Sequence, residues 1–131
     1  MVLMLYYDSN QQPWPTDPVN QGFDQVKKLL TLLQAKGIRC EIIDTAKMTD
    51  EEVQSIYIEV STLASYKKFR VRRVFGSRKL SGYGFGKTVP ALLVYGDEGG
   101  RPLDVYPHEE LTGKTVTIED FLRRLEADPN L

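Results

Sequence analysis

Val89 to Tyr95 is the longest apolar run in the chain, and it constrains the fold more than any other feature. A strand apolar on both sides must be covered on both faces, which places it in the middle of a sheet. Gly96 to Gly100 follows it and reads as a hairpin turn. Leu103 to Tyr106 then returns as a further strand, antiparallel to the first.

The rest of the chain supplies the layers such a strand needs. Val2 to Tyr7 is a short apolar run closed by Asp8-Ser9-Asn10, a buried strand and its turn. After a polar stretch holding Pro13, Trp14 and Pro15, Asp17 has the chemistry of an N-cap and Pro18 suits the first helical position. Phe23, Val26, Leu30 and Leu33 follow at helical spacing, and Gly37 ends that helix. Arg39 to Ile43 reads as a second strand bounded by Asp44. Thr49 and Glu52 form a capping box, since hydroxyl and carboxylate each accept an orphan backbone N–H. Val53, Ile56, Tyr57, Val60, Leu63 and Ala64 mark one face of the helix behind it. Thr117 caps a last helix whose apolar face is Ile118, Phe121, Leu122 and Leu125. The order is β-α-β-α-β-β-α: an α/β protein with a mixed four-stranded sheet flanked by helices.

A length of 131 residues suits one domain, and the reading is a single domain over 1–131 with a basic insert at about 67–87. One cysteine excludes a disulfide framework, and one histidine excludes a histidine cluster, so no metal or other cofactor is expected. No segment reaches the roughly 18 apolar residues that span a bilayer, so no membrane partner is expected. The apolar start is too short for a secretory signal, and a cytoplasmic chain with reduced Cys40 is expected. The net charge of -1 hides an asymmetry. Eight of the 17 Lys and Arg fall between Lys67 and Lys87 with no acid among them, leaving nine cations against 18 acids elsewhere.

This element order, with Thr88-Val89-Pro90 leading into the longest apolar run, resembles the thioredoxin and glutaredoxin families. The resemblance implies a cis-proline at Pro90. It also implies a ligand groove in which the backbone of Val89 hydrogen-bonds an extended peptide or glutathione. Those families carry a catalytic cysteine pair between the first strand and the first helix, where the helix N-terminus stabilises the thiolate. Here that loop has no cysteine, and Trp14-Pro15-Thr16-Asp17-Pro18 matches it only in outline. Disulfide exchange needs a thiolate, so thioredoxin-type reduction is not expected.

Four features carry candidate chemistry, each beside a plainer reading. Cys40, inside a strand with Ile42 on its face, reads as a small buried hydrophobe or as a single-thiol redox site. Ser81 to Thr88, SGYGFGKT, approaches a phosphate-binding loop. It lacks the first glycine, however, and runs into a strand instead of opening a helix. His108, among Pro107, Glu109 and Glu110, reads as a solvated loop histidine. The basic segment interleaves Phe69, Phe75, Tyr83 and Phe85 with its cations. That composition suits single-stranded nucleic acid, an acidic protein, or a solvated surface paired with the acidic body.

The reading that joins these features is a redox-inactive binding or interaction module whose partner is another protein or a peptide. Trp14, Thr16, Lys87, Thr88, Val89 and Pro90 form its binding surface, beside a basic surface of Arg70, Arg72, Arg73 and Arg78. One alternative is a glutathione-binding or glutathione-transferase-like enzyme that activates its ligand's thiol with Ser9 or Thr16. The other is nucleic-acid binding through the basic surface, with affinity that falls steeply with salt.

Overall fold

The computed structural model describes residues 1–7, 23–71 and 91–128. Strand β1 (Val2–Tyr7) is followed by helix α1 (Phe23–Ala35), strand β2 (Arg39–Asp44), a 3-10 turn at Thr45–Lys47 and helix α2 (Asp50–Lys67). Two residues, Arg70–Val71, make strand β3. Then come β4 (Ala91–Gly96), β5 (Gly99–Tyr106), the two-residue strands β6 (His108–Glu109) and β7 (Thr115–Val116), and helix α3 (Ile118–Ala127).

The main sheet is mixed and four-stranded, in the order β2-β1-β4-β5. β1 runs parallel to β2, while β4 is antiparallel to both β1 and β5. The apolar run therefore lies inside the sheet: Leu92, Leu93 and Val94 are buried on alternate faces. Leu3, Leu5, Leu92 and Val94 turn to one face, under Val26, Leu30 and Leu33 of α1 and Ile118, Leu122 and Leu125 of α3. Tyr6, Ala91, Leu93 and Val105 turn to the other, under Val53 and Val60 of α2. Each fully buried leucine contributes about 1.5–3 kcal/mol by leaving water.

The helix signals act as the sequence predicts. The Thr49 hydroxyl accepts from Glu52 N–H at 3.2 Å, and the Glu52 carboxylate accepts from Thr49 N–H at 2.9 Å. That contact holds the Glu52 carboxyl below its usual range. Thr117 and Asp120 form the same reciprocal pair at the start of α3. Gly37 follows α1 at φ 89°, a conformation that costs a side-chain-bearing residue strain. The predicted start of α1 at Asp17 and Pro18 lies outside the described residues.

Several expectations need correction. β5 begins at Gly99, not at Leu103, because the turn after β4 needs only Asp97 and Glu98. The end of α2, which the sequence left open, falls at Lys67, where Lys68 takes the left-handed conformation and Phe69 N–H bonds back to the Ala64 carbonyl. Tyr57 is 38% exposed, because α2 presents only a narrow stripe to the sheet. Ile42 is 43% exposed, because β2 is an edge strand. A second small sheet in the order β3-β6-β7 was not anticipated. A cis peptide bond precedes Pro107; the Val89–Pro90 bond lies outside the described residues. Among the described residues, no helix is long and apolar enough to cross a membrane.

Candidate functional site

Two adjoining features stand at the outer strand β5. The first is a groove of about 700 Å³ between α2 and β5. Helical spacing sets one wall: Ile58, Thr62 and Tyr66 are successive i, i+4 positions, and Glu59, Leu63 and Lys67 form the next row. Arg101, Pro102 and Leu103 of β5 make the other wall. Ile58 is 55% exposed, Leu103 56% and Tyr66 82%, so the apolar lining is open to solvent.

The second is a polar cluster around Asp104 that begins where the groove ends. Asp104 Oδ2 accepts from the Tyr106 hydroxyl at 2.9 Å and lies 3.6 Å from Lys67 Nζ. Asp104 Oδ1 accepts from Val105 N–H at 2.9 Å and stands 3.8 Å from His108 Nδ1. His108 Nδ1 in turn lies 2.7 Å from the Val105 carbonyl oxygen. A carbonyl only accepts, so Nδ1 carries the proton and donates it. Both backbone polar groups of Val105 are thus occupied by side chains, Asp104 on the N–H and His108 on the C=O.

His108 is buried at 7% exposure, which corrects the expectation of a solvated loop histidine. Its ring packs against Phe69 at 4.4 Å and Tyr106 at 4.9 Å, and Tyr106 stacks on Phe121 at 4.4 Å. The charged neighbours Glu109 and Glu110 hid this from the sequence. Burial pushes the Tyr106 hydroxyl well above its ordinary value, and Asp104 adds to the shift. Tyr6 and Tyr95, hydrogen-bonded to each other on the α2 face, are likewise pushed up by burial, with Glu59 adding to it. All three phenols stay neutral at physiological pH, able to donate hydrogen bonds but not to act as phenolate nucleophiles.

Cys40 is half-buried against the core beneath α1 and α3. Its thiol donates to the Ile38 carbonyl at 3.6 Å, and burial pushes it up to about 11. Among the described residues, no three His, Cys, Asp or Glu side chains gather to hold a metal ion.

Of the residues assigned to a site from sequence, Arg70 lies in β3, paired with Glu109 in the small sheet. Trp14, Thr16, Lys87, Thr88, Val89, Pro90, Arg72, Arg73 and Arg78 lie outside the described residues. So do Ser9 and the Ser81–Thr88 loop. Sequence reasoning missed the groove and the Asp104 cluster. The one usable signal was the alternate spacing of Asp104, Tyr106 and His108, which sets polar groups along one side of an extended chain. No protein-family model, no curated protein and no solved structure matches the chain.

Proposed function

We propose that this protein is a thioredoxin-like domain that binds a protein or peptide partner and carries out no disulfide exchange. The fold part of this reading is supported by the order β1-α1-β2-α2-β4-β5-α3 and by a sheet ordered β2-β1-β4-β5, with β4 antiparallel to its neighbours.

The observation that carries the second part, the lack of disulfide exchange, is the state of the thiol. Exchange chemistry runs through a thiolate. The chain has one cysteine, on β2, with its thiol pushed up to about 11 by burial and turned to a backbone carbonyl. At pH 7 roughly one molecule in ten thousand carries the thiolate. No second thiol is present to resolve a mixed disulfide.

Insulin reduction in the presence of dithiothreitol tests this. The expected rate equals that of dithiothreitol alone, for the native protein and for Cys40→Ser. Turnover above that background, lost in Cys40→Ser, overturns the reading. A thiol reagent such as Ellman's gives a second measure: labelling of Cys40 is expected to be slow at pH 7 and to rise steeply toward pH 11.

A further inference from the structure

We propose that the outer edge of β2 pairs with β2 of a second copy of this chain, antiparallel and about a two-fold axis through Cys40. Among the described residues no strand lies beyond β2, which ends the sheet order β2-β1-β4-β5. Alternation sets which polar groups point outward there. Val105 turns its N–H and C=O away from β4, so Leu93 opposite it bonds to Met4 of β1. Leu3 and Leu5 then turn theirs to Arg39, Glu41 and Ile43. Cys40 and Ile42 are left with N–H and C=O on the outer side. The Gln34 amide reaches the Cys40 carbonyl at 3.0 Å in an exposed contact that yields when a strand arrives.

The choice of a second copy follows from the side chains. A two-fold axis normal to the sheet keeps each face on its own side, so residues oppose only residues of the same face. With Cys40 opposite Cys40, Arg39 of each copy stands opposite Glu41 of the other, and Ile38 stands opposite Ile42. Two ion pairs form on the α2 side. Two apolar pairs form on the other side, where Ile38 packs against the core and Ile42 is 43% exposed. Arg39 and Glu41 are exposed, and within one copy they bond each other at 3.2 Å. In the pair, each Glu41 lies between its own Arg39 and that of the second copy.

The same pattern fixes the register. A slip of one residue mixes the faces. The nearest registers that keep them set Arg39 opposite Arg39, or Glu41 opposite Glu41, and like charges directly opposite destabilise. Charge therefore favours one alignment of this strand with itself. In it the two Cys40 exchange N–H···O=C bonds, and each Ile42 N–H reaches the Ile38 carbonyl of the second copy. The Ile38 N–H stays on the Leu33 carbonyl at 3.1 Å. Pairing uses the β2 edge of both copies, so assembly closes at two.

Self-association goes beyond the binding-module reading and does not depend on it; the insulin assay tests only the latter. Sedimentation of the full chain at low salt, up to about 1 mM protein, tests the proposal. A dimer is expected, weakening as salt rises. Arg39→Glu and Glu41→Arg should each weaken it about tenfold or more, because symmetry doubles every like-charge contact. An equimolar mixture of the two variants should regain the dimer, since each chain then meets opposite charges on the other. The bond between positions 39 and 41 within one chain is broken in both variants, so it cannot produce that recovery. Thermal unfolding of each variant, expected to be near-native at exposed positions, separates lost pairing from lost fold. A chain that stays monomeric at every concentration overturns the proposal. So does a dimer that ignores both charge reversals, or a mixture that stays monomeric.

Discussion

On one face of the sheet, Leu3, Leu5 and Leu92 lie beneath two helices and are wholly enclosed. On the other, Leu93 and Val105 are enclosed as fully but, among the described residues, beneath α2 alone, and Ile58 and Leu103 beside them stay more than half exposed. Both faces are made by the same strands, so strand chemistry does not explain the difference. Width does. Four strands about 4.8 Å apart make a sheet roughly 15–20 Å across. A helix with its side chains is about 10–12 Å across. α1 and α3 together cover that width, whereas α2, packed against β5, covers only part of it, and Ile58 and Leu103 flank the groove between α2 and β5. One face is therefore committed to stability, while the other keeps apolar surface available for contact.

This contrast can be broken most directly at Leu122, fully buried in α3 against the two-helix face. Leu122→Ala is expected to cost about 2–5 kcal/mol in urea unfolding, because the enclosed site cannot collapse around the lost atoms. A cost under 1 kcal/mol would show that this face is less sealed than its burial implies. Val60→Ala, on the one-helix face, should cost about 1–2 kcal/mol, since two methyl groups leave a site with room to relax. An equal or larger loss than at Leu122 would reverse the comparison.

Acid sharpens it further, because Glu52 belongs to the single helix. Its carboxyl is held low by the Thr49 N–H, so the folded state favours the charged form. The stabilisation is present above the ordinary value of 4.5 and is lost as pH falls through the lower folded value. Glu52→Gln should flatten that part of the acid-unfolding profile relative to the native chain. The smallest effect belongs to Ile58→Ser in the groove, expected within about 0.5 kcal/mol of native stability. A larger loss would make the groove a structural seam instead of a free surface.

Much of this architecture was legible before the structure. Val2–Tyr7 and the run ending at Tyr95 read as strands because their apolar character is local and continuous. Thr49 and Thr117 read as caps because the chemistry of capping is confined to four residues. His108 was illegible for the opposite reason. Its burial depends on Phe69, far back in the chain, and on a two-residue strand pairing that leaves no periodic trace. Tyr57 was misplaced because periodicity gives the direction of an apolar face but not the breadth of what it meets. The groove was unreadable on the same ground, since among the described residues no second helix lies beside α2 to cover Ile58 and Tyr66. The binding surface expected at Trp14, Thr16 and Lys87 to Pro90 falls outside the described residues, so the two candidate surfaces rest on separate observations.

The occupation of Val105 by Asp104 and His108 has a consequence for the protein in a crowd. An outermost strand is a template onto which another copy can stack its own backbone, and a sheet that accepts one copy can accept many. Here Val105 spends its donor and acceptor on side chains of the same molecule, Asp104 and His108. The chain displays apolar side chains along β5 while withholding the two hydrogen bonds of Val105 from any neighbouring strand.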